Sequence, residues 1–297
     1  MINKQQTVKR LGIYLLIVFA ASLLLLLFVK PMEASQTAFF IVQQLYCWAP
    51  AIACIVTRAV TKEGFQGMKL HLRLRNHLRY YLLAFAVPLI LEPIMVILPV
   101  VLNGHSQWLS NFTWTNIVIT ALQLISMSIV GNIGLLGEEL GWRGYMNQKM
   151  EPLIGTFWTG LASGAIWGLW HVPNDIKNYL SGYVSFPEAL QNGLERIVIL
   201  IMLGIVLMWI TKKTDSVFPA VILHSMHNGT VGVLENMLTL GGRPENYKPE
   251  GSEMIITNIC QYLPLFVLAV IFMLLMLRDN KELKMAEKSE SMIAENS

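Results

Sequence analysis

The chain carries eight apolar runs, at about residues 11–29, 37–56, 81–102, 117–136, 153–171, 197–210, 217–234 and 254–277, most of them nearly free of charge. A helix needs about 20 apolar residues to cross the hydrocarbon core of a bilayer, because no water is present there to satisfy its backbone polar groups. Runs of this kind are apolar around the whole helix, and lipid is the solvent that accepts them on all sides. Composition agrees: 54% of the 297 residues are hydrophobic and 14% charged, against about 45–50% and about 25% in soluble domains. The expected fold is all-α, a polytopic integral membrane protein of about eight transmembrane helices. The sixth run is short unless residues 193–196 extend it, and the fourth and seventh carry polar residues.

Lys and Arg favour the cytoplasmic side of a membrane. With the N-terminus inside and eight crossings, the inner segments hold 17 of the 22 basic residues, while the outer ones hold Lys30, Lys177, Arg196, Arg243 and Lys248. The asymmetry predicts an even number of spans and two cytoplasmic termini. A net charge of +3, distributed in this way, speaks of topology and excludes a nucleic-acid partner. The basic stretch 69–79 reads as a solvated inner loop, or as one resting on anionic lipid. The first run follows Lys4, Lys9 and Arg10, but its 19 residues exceed the roughly 7–15 of a cleavable signal core, which predicts a retained anchor. Cys47, Cys54 and Cys260 fall within apolar runs without a C-x-x-C pair, so they are expected to be unpaired packing residues. Residues 1–277 form one transmembrane domain, and the charged tail 278–297 is expected to fray and become disordered.

Ionisable side chains at membrane depth cost at least about 2.5–3.5 kcal/mol each on insertion scales, so each implies a partner or a function. Three runs contain such residues at Glu138-Glu139, His171 and His224 to Asn228. If the fourth helix continues to about Gln148, Glu138 stands some ten residues, roughly 15 Å, above its inner end. His171 and His224 then lie within reach of the same layer, and a shared polar chamber becomes geometrically possible. Glu139 and Arg143 are spaced i, i+4 with the acid first, the favourable order for a helical ion pair. Glu138 is offset by about 100° and is left to act as a general base. His224 and Asn228 share one helix face and are suited to meet a developing negative charge, whereas His227 sits off that face. Gly160, Gly164 and Gly168 form a stripe that admits a neighbouring helix. Glu92, among Pro88, Pro93 and Pro99, either lines a cavity, handles protons or bonds to an adjacent helix.

Taken in order, Glu138-Glu139-x-x-x-Arg143, Trp167-x-x-x-His171 and His224-x-x-x-Asn228 resemble the E-E-x-x-x-R, F-x-x-x-H and H-x-x-x-N motifs of the CAAX protease and bacteriocin-processing family, also called Abi. Trp167 replaces the usual Phe. The family-like core covers about residues 115–235. The resemblance implies an intramembrane endopeptidase related to type II CAAX prenyl endopeptidases, acting on a membrane-associated or prenylated-type peptide. It implies that Glu138 and His171 hold and activate a water while His224 and Asn228 stabilise the oxyanion, with Glu139 and Arg143 as a supporting pair. No cofactor is the favoured reading; the alternative is zinc held by Glu138, His171 and His224, an open three-ligand site. Partners expected are a peptide or protein substrate and the lipid bilayer, and the expected location is a bacterial cytoplasmic membrane. Two other functions fit the same chain: a non-catalytic bacteriocin-immunity or scaffold protein, and a proton-coupled transporter using Glu92 and Glu138.

Overall fold

A computed structural model of the chain describes residues 3–28, 35–130, 133–245 and 247–295, so the end of the first run and Lys30 fall outside the described residues. The helices are α1 (Lys4–Leu24, extended by a 3₁₀ turn Leu25–Phe28), α2 (Gln36–Val60), α3 (Leu74–Leu102), α4 (Trp114–Val130), α5 (Ile133–Gly141), α6 (Asn147–Trp170), α7 (Val172–Leu180), α8 (Phe186–Thr214), α9 (Phe218–Leu240) and α10 (Gly251–Glu295). A 3₁₀ turn, Ser106–Asn111, follows α3, and a π-helical turn, Trp142–Met146, joins α5 to α6. Among the described residues there is no strand, and the protein is an all-α polytopic membrane protein.

Among the described residues each apolar run lies mainly on helix, and five helices are long and apolar enough to cross a bilayer by themselves: Lys4–Phe28, Gln36–Val60, Leu74–Leu102, Phe186–Thr214 and Gly251–Glu282. The sixth run gains its missing length from α8, which starts at Phe186 on a capping box between Ser185 and Glu188. For the expected fourth helix, the described residues are helical over Trp114–Val130 and again from Ile133, and residues 131 and 132 lie outside the described residues. From Ile133 the helical path does continue to Gln148 and beyond, and the chain bends at Gly155. Gly155 takes φ +78°, a conformation that side-chain-bearing residues rarely adopt, and nothing crowds the bend. Past Arg278, where disorder is expected, the backbone stays helical through Glu295, in a sequence rich in Lys, Glu, Met and Ala.

Ion pairs sort the loops into two ends. At one, Glu63 meets Arg10 at 3.3 Å, Arg58 at 3.5 Å and Lys149, while Asp215 meets Arg73 at 2.8 Å and Lys69 at 3.3 Å. At the other, His105 meets Glu253 at 3.3 Å, and Arg243 meets Glu235. These pairs join loops that the charge asymmetry assigns to the same side.

Inside a membrane, helices associate through close packing and not through expulsion of water, so small residues decide where backbones meet. The glycine stripe of α6 lies against α8: a Cβ on Gly164 would stand 2.4 Å from the Ile201 Cα, and one on Gly168 2.8 Å from the Ile197 Cα. A second stripe on α5 does the same against α2, with Gly137 facing the Trp48 Cα at 2.8 Å and Gly141 facing the Pro50 carbonyl carbon at 2.5 Å. Between these contacts the core is aromatic, with Tyr14, Trp142, Tyr145, Trp167 and Trp170 essentially fully buried. Cys47, Cys54 and Cys260 are free and buried, as packing residues.

Candidate active site

The short helix α5 presents two adjacent carboxylates, and its close seat on α2 fixes both. Glu138 is 4% exposed and Glu139 is fully buried. Arg143 sits one turn on, in the π-helical turn, a local widening often found at functional positions. Glu139 Oε1 accepts from Arg143 Nη1 at 3.0 Å, the pair expected from the spacing. The same oxygen also takes the ring of His224 from α9, with Nδ1 at 2.9 Å. Because a carboxylate only accepts, Nδ1 carries the proton in this contact, and the second ring nitrogen, Nε2, is directed away from Glu139.

Glu138 is held from the other side. Trp167 of α6 donates its indole Nε1–H to Glu138 Oε2 at 3.0 Å, and the Arg143 guanidinium lies 4.1 Å over the Trp167 ring. The His224 ring stands edge-on to the same indole, with centroids 5.0 Å apart. Trp167 therefore touches the acid, the cation and the imidazole at once. Read from the sequence as an aromatic standing in for Phe, it acts here through a donor that Phe lacks; the indole N–H was the available signal.

His171 caps the end of α6. The last carbonyls of a helix have no intrahelical partner, and here the Trp170 carbonyl accepts from Tyr46 Oη at 2.7 Å and Ser22 Oγ at 2.6 Å. Tyr46 also stacks on Trp170 at 4.0 Å. These contacts from α1 and α2 pin the turn at His171, whose ring packs against Trp170 at 4.7 Å, Tyr46 at 6.2 Å and Trp167 at 6.3 Å. His171 and His224 lie within electrostatic reach of each other. Asn228 occupies an exposed position one turn beyond His224 and is not part of the hydrogen-bonded cluster. The structure thus joins Glu138, Glu139, Arg143 and His224 through Trp167, brings His171 to the edge of that group, and leaves Asn228 on its flank.

Among the described residues no three His, Cys, Asp or Glu side chains are grouped to hold a metal ion. The set Glu138, His171 and His224 does not converge in that way. His227 faces away from the cluster and pairs with Glu92 at 2.6 Å, so of the readings open for Glu92 both the bond to an adjacent helix and the cavity-lining position are present.

A mostly buried acid–imidazole–guanidinium cluster inside a polytopic helical bundle defines the class: a membrane protein with a polar intramembrane centre. Residues 118–230, which contain every member of that centre, match the family described as Type II CAAX prenyl endopeptidase Rce1-like. A relative is the protein described as CAAX prenyl protease 2 of Methanococcus maripaludis, 25% identical over 175 residues. The match takes in 56% of this chain and 60% of that protein, so it spans less than two thirds of the relative's length. Over residues 118–230 the chain is similar to that family, and the similarity to the archaeal protease extends over 175 residues.

Proposed function

We propose that the protein is an intramembrane endopeptidase that hydrolyses a peptide bond of a membrane-associated or prenylated-type peptide. One observation carries the reading: two buried carboxylates, one bound by Trp167 and one shared by Arg143 and His224, are held apart in separate environments. Neighbouring acids in unlike surroundings suit separate tasks. Glu139, committed to Arg143 and His224, is the positioning acid. Glu138, met by the neutral donors Trp167 and Cys47, is the base.

In the proposed reaction a water, held between Glu138 and His171, attacks the carbonyl carbon of the scissile bond and passes a proton to Glu138. The oxyanion formed is met by His224 Nε2–H and the Asn228 amide. Since Nδ1 already donates to Glu139, His224 donates from Nε2 as well only when it carries both protons. Glu138 then returns its proton to the leaving nitrogen as the carbon–nitrogen bond breaks. An amide resists water unless both the nucleophile and the oxyanion are served, and one missing oxyanion donor typically costs about 2.7–4 kcal/mol of barrier. The reading is metal-free. It sets the Lys- and Arg-rich end of the bundle in the cytoplasm of a bacterial cell, with both termini there.

The test is cleavage of a prenylated C-terminal peptide and its unprenylated counterpart by the purified chain, with and without a chelator, and product mass read by mass spectrometry. Wild type should release one new C-terminus regardless of chelator, and Glu138→Ala, His171→Ala and His224→Ala should each fail. If all three variants keep wild-type turnover, the mechanism is wrong; if wild type itself releases no product, a non-catalytic role takes its place.

A further inference from the structure

A second polar cluster lies at the end of the bundle where α3 and α9 finish and α10 begins, and the proposed cleavage uses none of it. A cavity of about 300 Å³ opens there. Glu92 lines it and is 1% exposed, with Oε1 taken by His227 Nδ1 at 2.6 Å. Its other oxygen, Oε2, is buried without a hydrogen-bond partner. Leaving a buried acceptor unsatisfied costs about 1–3 kcal/mol, and more when the group is charged.

The rest of the wall has a consistent chemistry. Met95, Val96 and Val231 give an apolar side. Elsewhere in the lining, His105 stacks on Trp108 at 4.1 Å, and Tyr247 stands edge-on to Trp108 at 4.7 Å. Glu235 lines the cavity paired with Arg243, and Glu253 lies behind the wall, bonded to Tyr247 Oη at 2.5 Å and to His105 at 3.3 Å. Arg243 is the one Lys or Arg in the lining among the described residues. In the lining, carboxylates therefore outnumber fixed cations, an arrangement that favours a cation over an anion. A volume of this size is at the small end of ligand pockets, about 300–1,000 Å³.

We propose that the cavity binds a small organic cation, a primary ammonium on a short apolar chain, with the ammonium at Glu92 and the chain along Met95, Val96 and Val231. The ammonium brings the donors that Glu92 Oε2 lacks, and the apolar wall covers the carbon chain. Such a group comes either from a soluble alkylamine or from the ethanolammonium headgroup of a lipid.

Thermal unfolding of the purified full chain in phosphatidylcholine nanodiscs tests this, with n-butylammonium chloride, n-butanol and sodium butyrate as probes. Butylammonium should raise the unfolding midpoint in a saturable way, as a ligand selective for the folded state must, while butanol and butyrate should not. Glu92→Gln should weaken the effect at least ten-fold. Val231→Phe, which keeps Glu92 and fills the cavity, should abolish it and serves if Glu92→Gln fails to fold. Nanodiscs containing phosphatidylethanolamine distinguish the sources: competition with butylammonium assigns the ammonium to the lipid, and undiminished butylammonium binding assigns it to a soluble amine. Equal stabilisation by butanol, an unchanged response in Glu92→Gln, or no response to butylammonium overturns the proposal.

Discussion

Replacing Glu139 by Leu removes the acid from the most buried ion pair in the candidate site. Arg143 is 3% exposed and lies 4.1 Å over the Trp167 ring, and its contact with Glu139 at 3.0 Å is its one ion pair among the described residues. Breaking a buried pair from one side costs about 3–5 kcal/mol, because the surviving charge stays desolvated. Glu138 is a second acid within electrostatic reach of Arg143, which places the expected loss at the lower end, about 3 kcal/mol. Arg143→Leu leaves Glu139 with His224 and should cost a comparable amount. Removing both charges is different, since a buried pair replaced by apolar residues of similar volume is often neutral in stability. The double variant Glu139→Leu/Arg143→Leu should therefore be less destabilised than the sum of the singles, with a coupling of at least about 2 kcal/mol; independent sites add to within about 0.3–0.5 kcal/mol. Reversible unfolding in mixed micelles titrated with sodium dodecyl sulfate gives the three free energies. Additivity within about 0.5 kcal/mol would show that the pair is not energetically joined, and the division of labour between the two carboxylates would lose its basis.

Other predictions follow from contacts elsewhere in the bundle. Gly164→Ala sets a Cβ 2.4 Å from the Ile201 Cα, which is backbone, and should cost at least the roughly 1–3 kcal/mol of an overpacked core, whereas Gly160→Ala meets the flexible Met273 Cε at 2.6 Å and should cost less in the same unfolding assay. Trp167→Phe keeps a ring beside His224 but deletes the donor to Glu138, a hydrogen bond to a charged group worth about 1.5–3 kcal/mol, and should lower turnover without abolishing it. Burial by itself raises the Glu63 carboxyl, but Lys149, Arg58 and Arg10 together hold it below its ordinary value of 4.5. The folded chain then binds fewer protons than the unfolded one, so the Glu63 contribution is complete above 4.5 and is lost as pH falls through the lower folded value; Glu63→Gln should flatten that part of the stability profile against pH.

Much of this architecture is legible in the sequence because membrane helices announce themselves by length and apolarity, and because a buried charge is costly enough to be conspicuous. The Glu139–Arg143 pair follows from i, i+4 spacing alone, and the packing role of Gly164 from its neighbours at four-residue intervals. What escapes is whatever depends on a partner distant in the chain. Nothing local to His224 says that its Nδ1 rests on Glu139, 85 residues away, nor that the Trp167 indole turns to Glu138. The same holds for Glu92, whose partner His227 lies 135 residues on.

The decisive quantity is the kcat of Glu138→Gln on a prenylated C-terminal peptide, compared with wild type in the same lipid environment. Gln keeps the shape of Glu138 and an oxygen to accept from Trp167 Nε1, but it cannot take a proton from water. General-base catalysis typically contributes about 10²–10⁴-fold, and a loss of that size in a normally folded variant is the predicted result. Turnover equal to that of wild type would contradict it and remove Glu138 from the chemistry.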